Sequence, residues 1–210
     1  MSKEQNVIKY YVLCNKLKNI IRSGWKHWNV KRERIESVAE HIYGVQMLAI
    51  AMHSEYQYKI DIYKVICMLA IHELEEILIG DLTMFEVESE DKMQAGHKAI
   101  YELLKDLMNK EKIMALILEF DEKVTDEAKF AYFCDKLECD IQSKLYDLEH
   151  CVDLSDQISN IALQNELVQD LLSKGKSWSD MWLEFGQLTY NYDENFLAVS
   201  EYVKNNDILN

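Results

Sequence analysis

Proline is absent from this 210-residue sequence, and glycine occurs only six times. Both residues mark tight turns and interrupted helices, so their scarcity argues against a fold built from many hairpins. Leucine, isoleucine, lysine and glutamate are abundant instead, and all four are well tolerated in helices. The composition therefore predicts an all-α protein.

Long apolar segments are also missing. The longest apolar run extends from Val65 to Ile71, far short of the roughly 20 residues that a membrane-spanning helix needs. The first residues, MSKEQNVIKYY, lack the apolar stretch of a secretory signal peptide. We expect a soluble, cytoplasmic protein that does not act at a membrane.

The five cysteines form no C-x-x-C pair, and their number is odd. This usage is typical of free thiols in a reducing compartment and excludes the common zinc-finger spacings. Cys67 and Cys134 lie in apolar runs with helical spacing, so we expect both to be buried packing residues.

The formal net charge of -14 disfavours partners that are long polyanions, such as a nucleic acid polymer. One local stretch has the opposite sign and contains Lys16, Lys18, Arg22, Lys26, Lys31, Arg32 and Arg34. Two interpretations are open at this point: a docking place for a small anion, or a solvated basic loop.

Apolar residues recur at helical spacing in about seven or eight segments. The segments are roughly 4–22, 37–55, 61–79, 89–108, 111–121, 125–150, 155–173 and 179–204. The length suits one domain, so we predict a single compact helical bundle over residues 1–210.

Helix ends can be read at several positions. Ser37 and Glu40 have the spacing of a capping box, which places His41 in the first turns of a helix. Asp61 is a candidate N-cap of the third segment, and Gly80 follows the end of that segment.

The third segment changes character near its end. Its apolar run VICMLAI continues directly into four polar residues: His72, Glu73, Glu75 and Glu76. Carboxylates at the inner end of a central helix need a partner, and a metal ion is one such partner. The alternative is that the helix emerges into water at His72. Further ligands from other helices would come from His41, Asp135 and Asp140.

Three runs of the sequence resemble a known family. They are RSGWKHWNVKRERIESVAEHIYGV, MLAIHELEEILIGDLT and FAYFCDKLECDIQ. In their order of a histidine, a histidine-acid pair and a distant aspartate, they resemble the HD-domain superfamily. Within it they resemble the small nucleotidase-like branch, which includes bacterial 5'-deoxynucleotidases and eukaryotic relatives. The resemblance implies an HD-domain bundle with a core over about residues 13–150, on which helices over about residues 155–204 pack.

The resemblance also implies roles for individual residues. It makes His41, His72, Glu73 and Asp135 the ligands of one divalent metal ion, which could be Mn, Co, Zn, Ni or Fe. Glu76 and Asp81 match the catalytic carboxylates of the family. Arg22 matches a phosphate contact, and Trp25 matches an aromatic residue near the nucleoside.

The implied activity is release of phosphate from nucleoside 5'-monophosphates, with deoxyribonucleotides as the expected substrates. The resemblance suggests a homodimer. Two departures stand out: the second residue of the His-Asp pair is Glu73, and Leu82-Thr83-Met84-Phe85 replaces a stretch that often contains proline. The alternatives are therefore a weakened or silent nucleotide-binding protein and a hydrolase of guanosine polyphosphates or cyclic nucleotides.

Overall fold

The computed structural model describes residues 2–87 and 89–209. Over these residues it contains eleven α-helices, two short 3₁₀ helices and no β-strand, with one isolated antiparallel bridge between Ile21 and Ser37. The α-helices are α1 Lys3–Cys14, α2 Ser23–His27, α3 Val38–Tyr56, α4 Ile62–Leu69, α5 Glu76–Ile79, α6 Ser89–Leu104, α7 Lys110–Glu122, α8 Asp126–Leu148, α9 Glu166–Ser173, α10 Trp178–Thr189 and α11 Glu194–Asn205. The all-α prediction is confirmed.

Among the helices of this described part, none combines the length and the apolar character that a bilayer span requires.

The predicted third segment divides into α4 and α5. Between them the backbone bonds reach back three residues rather than four, from Ile71 N to Met68 O at 3.0 Å and from Leu74 N to Ile71 O at 3.2 Å. Such tight turns keep nearly the same side-chain spacing as a helix, so apolar periodicity cannot reveal them. His72 and Glu73 lie in this overwound stretch.

Two other departures explain why the helices outnumber the predicted segments. α2 has only five residues, too few to show a periodic pattern. The predicted segment 179–204 divides into α10 and α11. The segment 155–173 still supplies one α-helix, α9, which follows a 3₁₀ helix at Ile161–Gln164.

The predicted helix ends are confirmed. At the start of α3, Glu40 N donates to Ser37 Oγ at 3.3 Å, and Ser37 N donates to the Glu40 carboxylate at 2.9 Å. Asp61 caps α4 by accepting from two backbone amides. Gly80 ends α5 at a φ of 78°, where a side chain would be strained.

The described chain divides into two compact units, of which the first comprises Met1–Ser23 and Glu36–Tyr132. Its core is a cluster of buried aliphatic side chains: Leu17, Val38, Leu74, Ile100, Leu103, Leu104 and Ile117. Each buried aliphatic side chain contributes roughly 1.5–3 kcal/mol to folding. Leu74 belongs to this core and directly follows Glu73, so the core anchors the turn that carries the His72-Glu73 pair.

The second unit comprises Gly24–Ile35 and Phe133–Asn210 and has an aromatic core. The Trp25 ring packs edge-on against Tyr146 at 5.3 Å and Trp178 at 6.1 Å, and tilted against Trp182 at 5.2 Å. The expectation of one domain over 1–210, with residues 155–204 packed on a core at 13–150, stays a prediction.

All five cysteines are free thiols. Cys134 is buried, as predicted, but Cys67 is exposed, so its predicted burial was wrong. α4 turns Val65, Met68 and Leu69 into the core and leaves Cys67 outside it. The apolar run is therefore buried on one face only.

Candidate metal centre

Two imidazoles and one carboxylate meet in the first unit. His41, on the first turn of α3, and His72 are both buried, and their ring centroids are 5.6 Å apart. Nε2 of each histidine lies 3.7 Å from Oε1 of Glu73. The structure thus brings together three of the four ligands expected from the sequence.

The spacing of these three groups suits one shared ion. One ligand atom from each lies within 4.8 Å of the others. Atoms that bind one ion tetrahedrally at roughly 2.0–2.2 Å lie about 3.3–3.6 Å from one another. The observed separations of 3.7 Å are therefore close to those of a metal shell.

The hydrogen bond of His72 supports the same conclusion. Its Nδ1 lies 2.8 Å from the carbonyl oxygen of Leu69. Because a carbonyl oxygen can only accept, Nδ1 donates, and Nε2 then carries the lone pair on the side that faces Glu73. A metal ligand whose other ring nitrogen donates to a carbonyl is the usual arrangement.

Arg22 is bound to the same carboxylate. Its Nη1 donates to Glu73 Oε1 at 3.0 Å, and its Nε lies 3.9 Å from Asp81 Oδ2. Its backbone N–H donates to the Glu36 carbonyl at 3.1 Å, beside the bridge between Ile21 and Ser37. The guanidinium thus stands between two of the predicted site acids on a fixed stretch of backbone.

Glu76 is the most buried acid of this group, at 1% exposure. Neither of its carboxylate oxygens makes a hydrogen bond with any group in residues 2–87 and 89–209. The pKa of Glu76 is raised to about 11, chiefly by burial and in part by the neighbouring carboxylates of Glu73 and Asp81, against the opposing charges of Arg22 and Lys92. A buried carboxylate without hydrogen bonds is costly, and a divalent cation nearby would offset that cost.

Asp81 is held differently. Its Oδ2 accepts from the backbone N–H of Ser23 at 2.6 Å, and its carbonyl oxygen accepts from the Ser23 hydroxyl at 2.6 Å. Its carboxylate therefore also fixes the chain immediately after Arg22.

The remaining predicted residues belong to the second unit. Asp135 lies on α8 and is buried, with Oδ2 2.8 Å from Lys136 Nζ. Its role as the fourth ligand stays a prediction. Trp25 is only 2% exposed within the aromatic core, so the structure gives it a packing role, and its contact with a nucleoside stays a prediction. Asp140, another candidate ligand, accepts from the Tyr192 hydroxyl at 3.0 Å.

Sequence reasoning missed two side-chain contacts between helices of the first unit. Lys92, on α6, lies 3.8 Å from Glu76 Oε1, but it stands among acidic and polar residues that gave no signal. His97, for which the sequence indicates no partner, pairs with Asp121 at 2.7 Å. Both contacts join different helices, and local spacing does not encode them.

Comparison with known proteins assigns the chain to a family. An all-α chain in which two imidazoles and a carboxylate face one point is typical of a metal-dependent hydrolase. The family model described as "HD domain" matches residues 14–174. The chain belongs to the HD-domain family, and it is a metal-dependent phosphohydrolase.

Curated relatives agree with this assignment. The chain is 31% identical over 150 residues to the 5'-deoxynucleotidase HDDC2 of Dictyostelium discoideum, which covers 68% of this chain and 78% of the relative. It is 25% identical over 181 residues to the 5'-deoxynucleotidase hdd1 of Schizosaccharomyces pombe, covering 83% of this chain and 88% of the relative.

Solved structures show the same fold. A conserved hypothetical protein from Pyrococcus furiosus matches with a TM-score of 0.61 and 27% identity, over 80% of this chain and 97% of that one. A predicted metal-dependent phosphohydrolase from Magnetospirillum magnetotacticum matches with a TM-score of 0.64 over 96% of this chain and 91% of that one. At 22% identity, the second match supports the fold alone.

Proposed function

We propose that this protein releases inorganic phosphate from nucleoside 5'-monophosphates, with deoxyribonucleotides as its preferred substrates. The observation that carries the proposal is the placement of His41 Nε2 and His72 Nε2, each 3.7 Å from Glu73 Oε1. The substrate class follows from the 5'-deoxynucleotidase names of the relatives.

We assign His41, His72 and Glu73 as ligands of one divalent ion, Mn, Co, Zn, Ni or Fe, and retain Asp135 as the fourth on the strength of the sequence resemblance. When bound, such an ion supplies a water of lowered pKa and positive charge against the phosphoryl oxygens. Arg22 adds a fixed positive charge beside Glu73 and Asp81, where it favours an anionic phosphate.

The reaction forms a bond from phosphorus to the water oxygen and breaks the bond from phosphorus to the 5'-oxygen. The water loses a proton, and the departing 5'-oxygen gains one. We assign proton transfer to Glu76 rather than Asp81. The Glu76 oxygens make no hydrogen bond in the described part of the chain, whereas Asp81 Oδ2 already accepts from Ser23 N.

A second function rests on one specific contact. Arg22 Nη1 donates to the Glu73 oxygen that faces both histidines, so a guanidinium can neutralise this carboxylate without an ion. Together with glutamate in place of the family aspartate, this contact favours a silent nucleotide-binding protein as the alternative.

The two functions are separated by measuring phosphate release with Mn, Co, Ni, Zn and Mg. The substrates are nucleoside and deoxynucleoside monophosphates, a guanosine polyphosphate and a cyclic nucleotide. Native protein, Glu73→Asp and Glu76→Ala are compared, and the metal content of each is determined by elemental analysis. We expect native activity on deoxynucleoside monophosphates, reduced about 10²- to 10⁴-fold in Glu76→Ala.

Other outcomes are equally decisive. Native protein that is inactive with every metal, together with an active Glu73→Asp variant, would establish the silent alternative. Turnover of the polyphosphate or the cyclic nucleotide alone would replace the proposed substrate class.

A further inference from the structure

Lys92 contacts both the first residue of the short helix α5 and the chain beyond the end of that helix. From α6, its Nζ donates to the carbonyl oxygen of Leu82 at 2.8 Å. The same Nζ lies 3.8 Å from Oε1 of Glu76. The Lys92 side chain is 28% exposed, so its charge is partly shielded from water.

The segment between these two points is also held by Asp81, which accepts two hydrogen bonds from Ser23, and by Ile77, which packs against the buried core. α5 is a single turn, and Gly80 ends it with an N–H bond to Glu76 O at 3.0 Å. Beyond Gly80 the chain forms no helix until Ser89 in the part that the structure describes. Glu76 is the first residue of α5, and Leu82 lies beyond the end of that helix. A single atom, Lys92 Nζ, therefore contacts both ends of the segment 76–82.

The contact between Lys92 and Glu76 is important because few other groups orient the Glu76 side chain. Its carboxylate is buried and makes no hydrogen bond in residues 2–87 and 89–209, so no such bond fixes its orientation. The Lys92 ammonium is a positive charge close to Oε1, and it is itself held in place by the Leu82 carbonyl. Displacing a reacting group by about 1 Å can cost on the order of a hundredfold in rate.

We propose that Lys92 is a positioning residue: its ammonium group ties α6 to the Leu82 carbonyl and orients the Glu76 carboxylate for proton transfer. The inference rests on the proposed function, because it presumes that Glu76 transfers a proton. Lys92 acts through Glu76 and does not bind the substrate.

The test compares Lys92→Met, Lys92→Gln and Lys92→Arg with Lys98→Met, a matched control in which an exposed lysine of the same helix is replaced. We expect Lys92→Met to lower kcat roughly 10- to 100-fold with KM within about threefold of native. Lys92→Arg should recover most of kcat, because it keeps the charge and the donors. Lys98→Met should match native protein in both parameters.

A second readout does not depend on turnover. Amide hydrogen exchange over residues 76–87 should become about 2- to 10-fold faster in Lys92→Met, because one hydrogen bond that holds this segment is lost. Exchange in Lys98→Met should equal that of native protein. If Lys92→Met does not fold, Lys92→Gln takes its place. It should lower kcat at least about fivefold, because glutamine keeps a donor but lacks the charge.

The failures can be told apart. A native protein that releases no phosphate overturns the proposed function, while hydrogen exchange still decides whether Lys92 holds the segment. Native activity with kcat of Lys92→Met within twofold of native, or with unchanged exchange, overturns the proposal for Lys92. An increase in KM alone also overturns it, because Lys92 would then bind substrate.

Discussion

The guanidinium of Arg22 donates a hydrogen bond to the carboxylate of Glu73, with Nη1 and Oε1 3.0 Å apart. Glutamate is one methylene longer than the aspartate usual at this position of the family, and its Oε1 lies close to Arg22 and 3.7 Å from Nε2 of each histidine. One oxygen is therefore shared between a fixed cation and the candidate metal centre.

Replacing Arg22 tests how much the site depends on this geometry. Arg22→Lys keeps the positive charge but loses the planar guanidinium group, whose nitrogens lie near both Glu73 and Asp81. We therefore expect kcat/KM to fall roughly 10- to 100-fold. The measurement is steady-state phosphate release. Arg32→Lys is the control, because Arg32 pairs with Glu149 at the surface and should change kcat/KM less than about twofold. Equal effects of the two substitutions would contradict a role for Arg22.

Replacing Glu73 tests the metal centre directly. Glu73→Gln keeps the shape of the side chain but removes the negative charge that a divalent ion requires, so affinity for Mn or Zn should fall at least about tenfold. Titration calorimetry on protein stripped of metal measures this, with the exposed Glu111→Gln as control. Unchanged affinity in Glu73→Gln would exclude Glu73 from the ligands.

Local features of this chain were predictable, and contacts between distant segments were not. Ser37 and Glu40 bind one another three residues apart, so their spacing alone predicted the cap. The sequence indicated Arg22 and Glu73 separately, but their hydrogen bond joins residues 51 positions apart. Lys92 was missed for the same reason, and Cys67 was misplaced because an apolar run does not show which face of a helix is covered.

Packing of α10 in the second unit gives a prediction about stability. A Cβ on Gly186 would overlap Oδ2 of Asp140, which is buried and accepts a hydrogen bond from Tyr192. Alanine normally stabilises a helix interior relative to glycine, but here the overlap should destabilise the fold by about 1–3 kcal/mol. Chemical denaturation measures the free energy of unfolding. Gly24→Ala is the control, because its nearest contact would be an ordinary 3.8 Å, and equal stability of the two variants would contradict the packing.

Asp140 also predicts a dependence of stability on pH. Burial raises the pKa of its carboxyl well above the ordinary value, the Tyr192 hydrogen bond and the charge of Lys136 lower it in part, and Asp135 raises it. A group with a raised pKa binds its proton more tightly in the folded state. Its contribution is therefore complete below the unfolded pKa of about 3.9 and is lost as pH rises toward the folded pKa.

Asparagine at this position cannot ionise, and its amide oxygen still accepts from the Tyr192 hydroxyl. The free energy of unfolding of Asp140→Asn, minus that of native protein, should therefore increase between pH 4 and pH 8, by at most about 1.4 kcal/mol for each pH unit. Urea denaturation at several pH values measures the difference, and Asp147→Asn, at a second partly buried carboxyl of α8 that accepts from Ser179, is the comparison. A difference that stays constant with pH would mean that Asp140 is already ionised in the folded protein, with Lys136 as the neighbour able to compensate its charge.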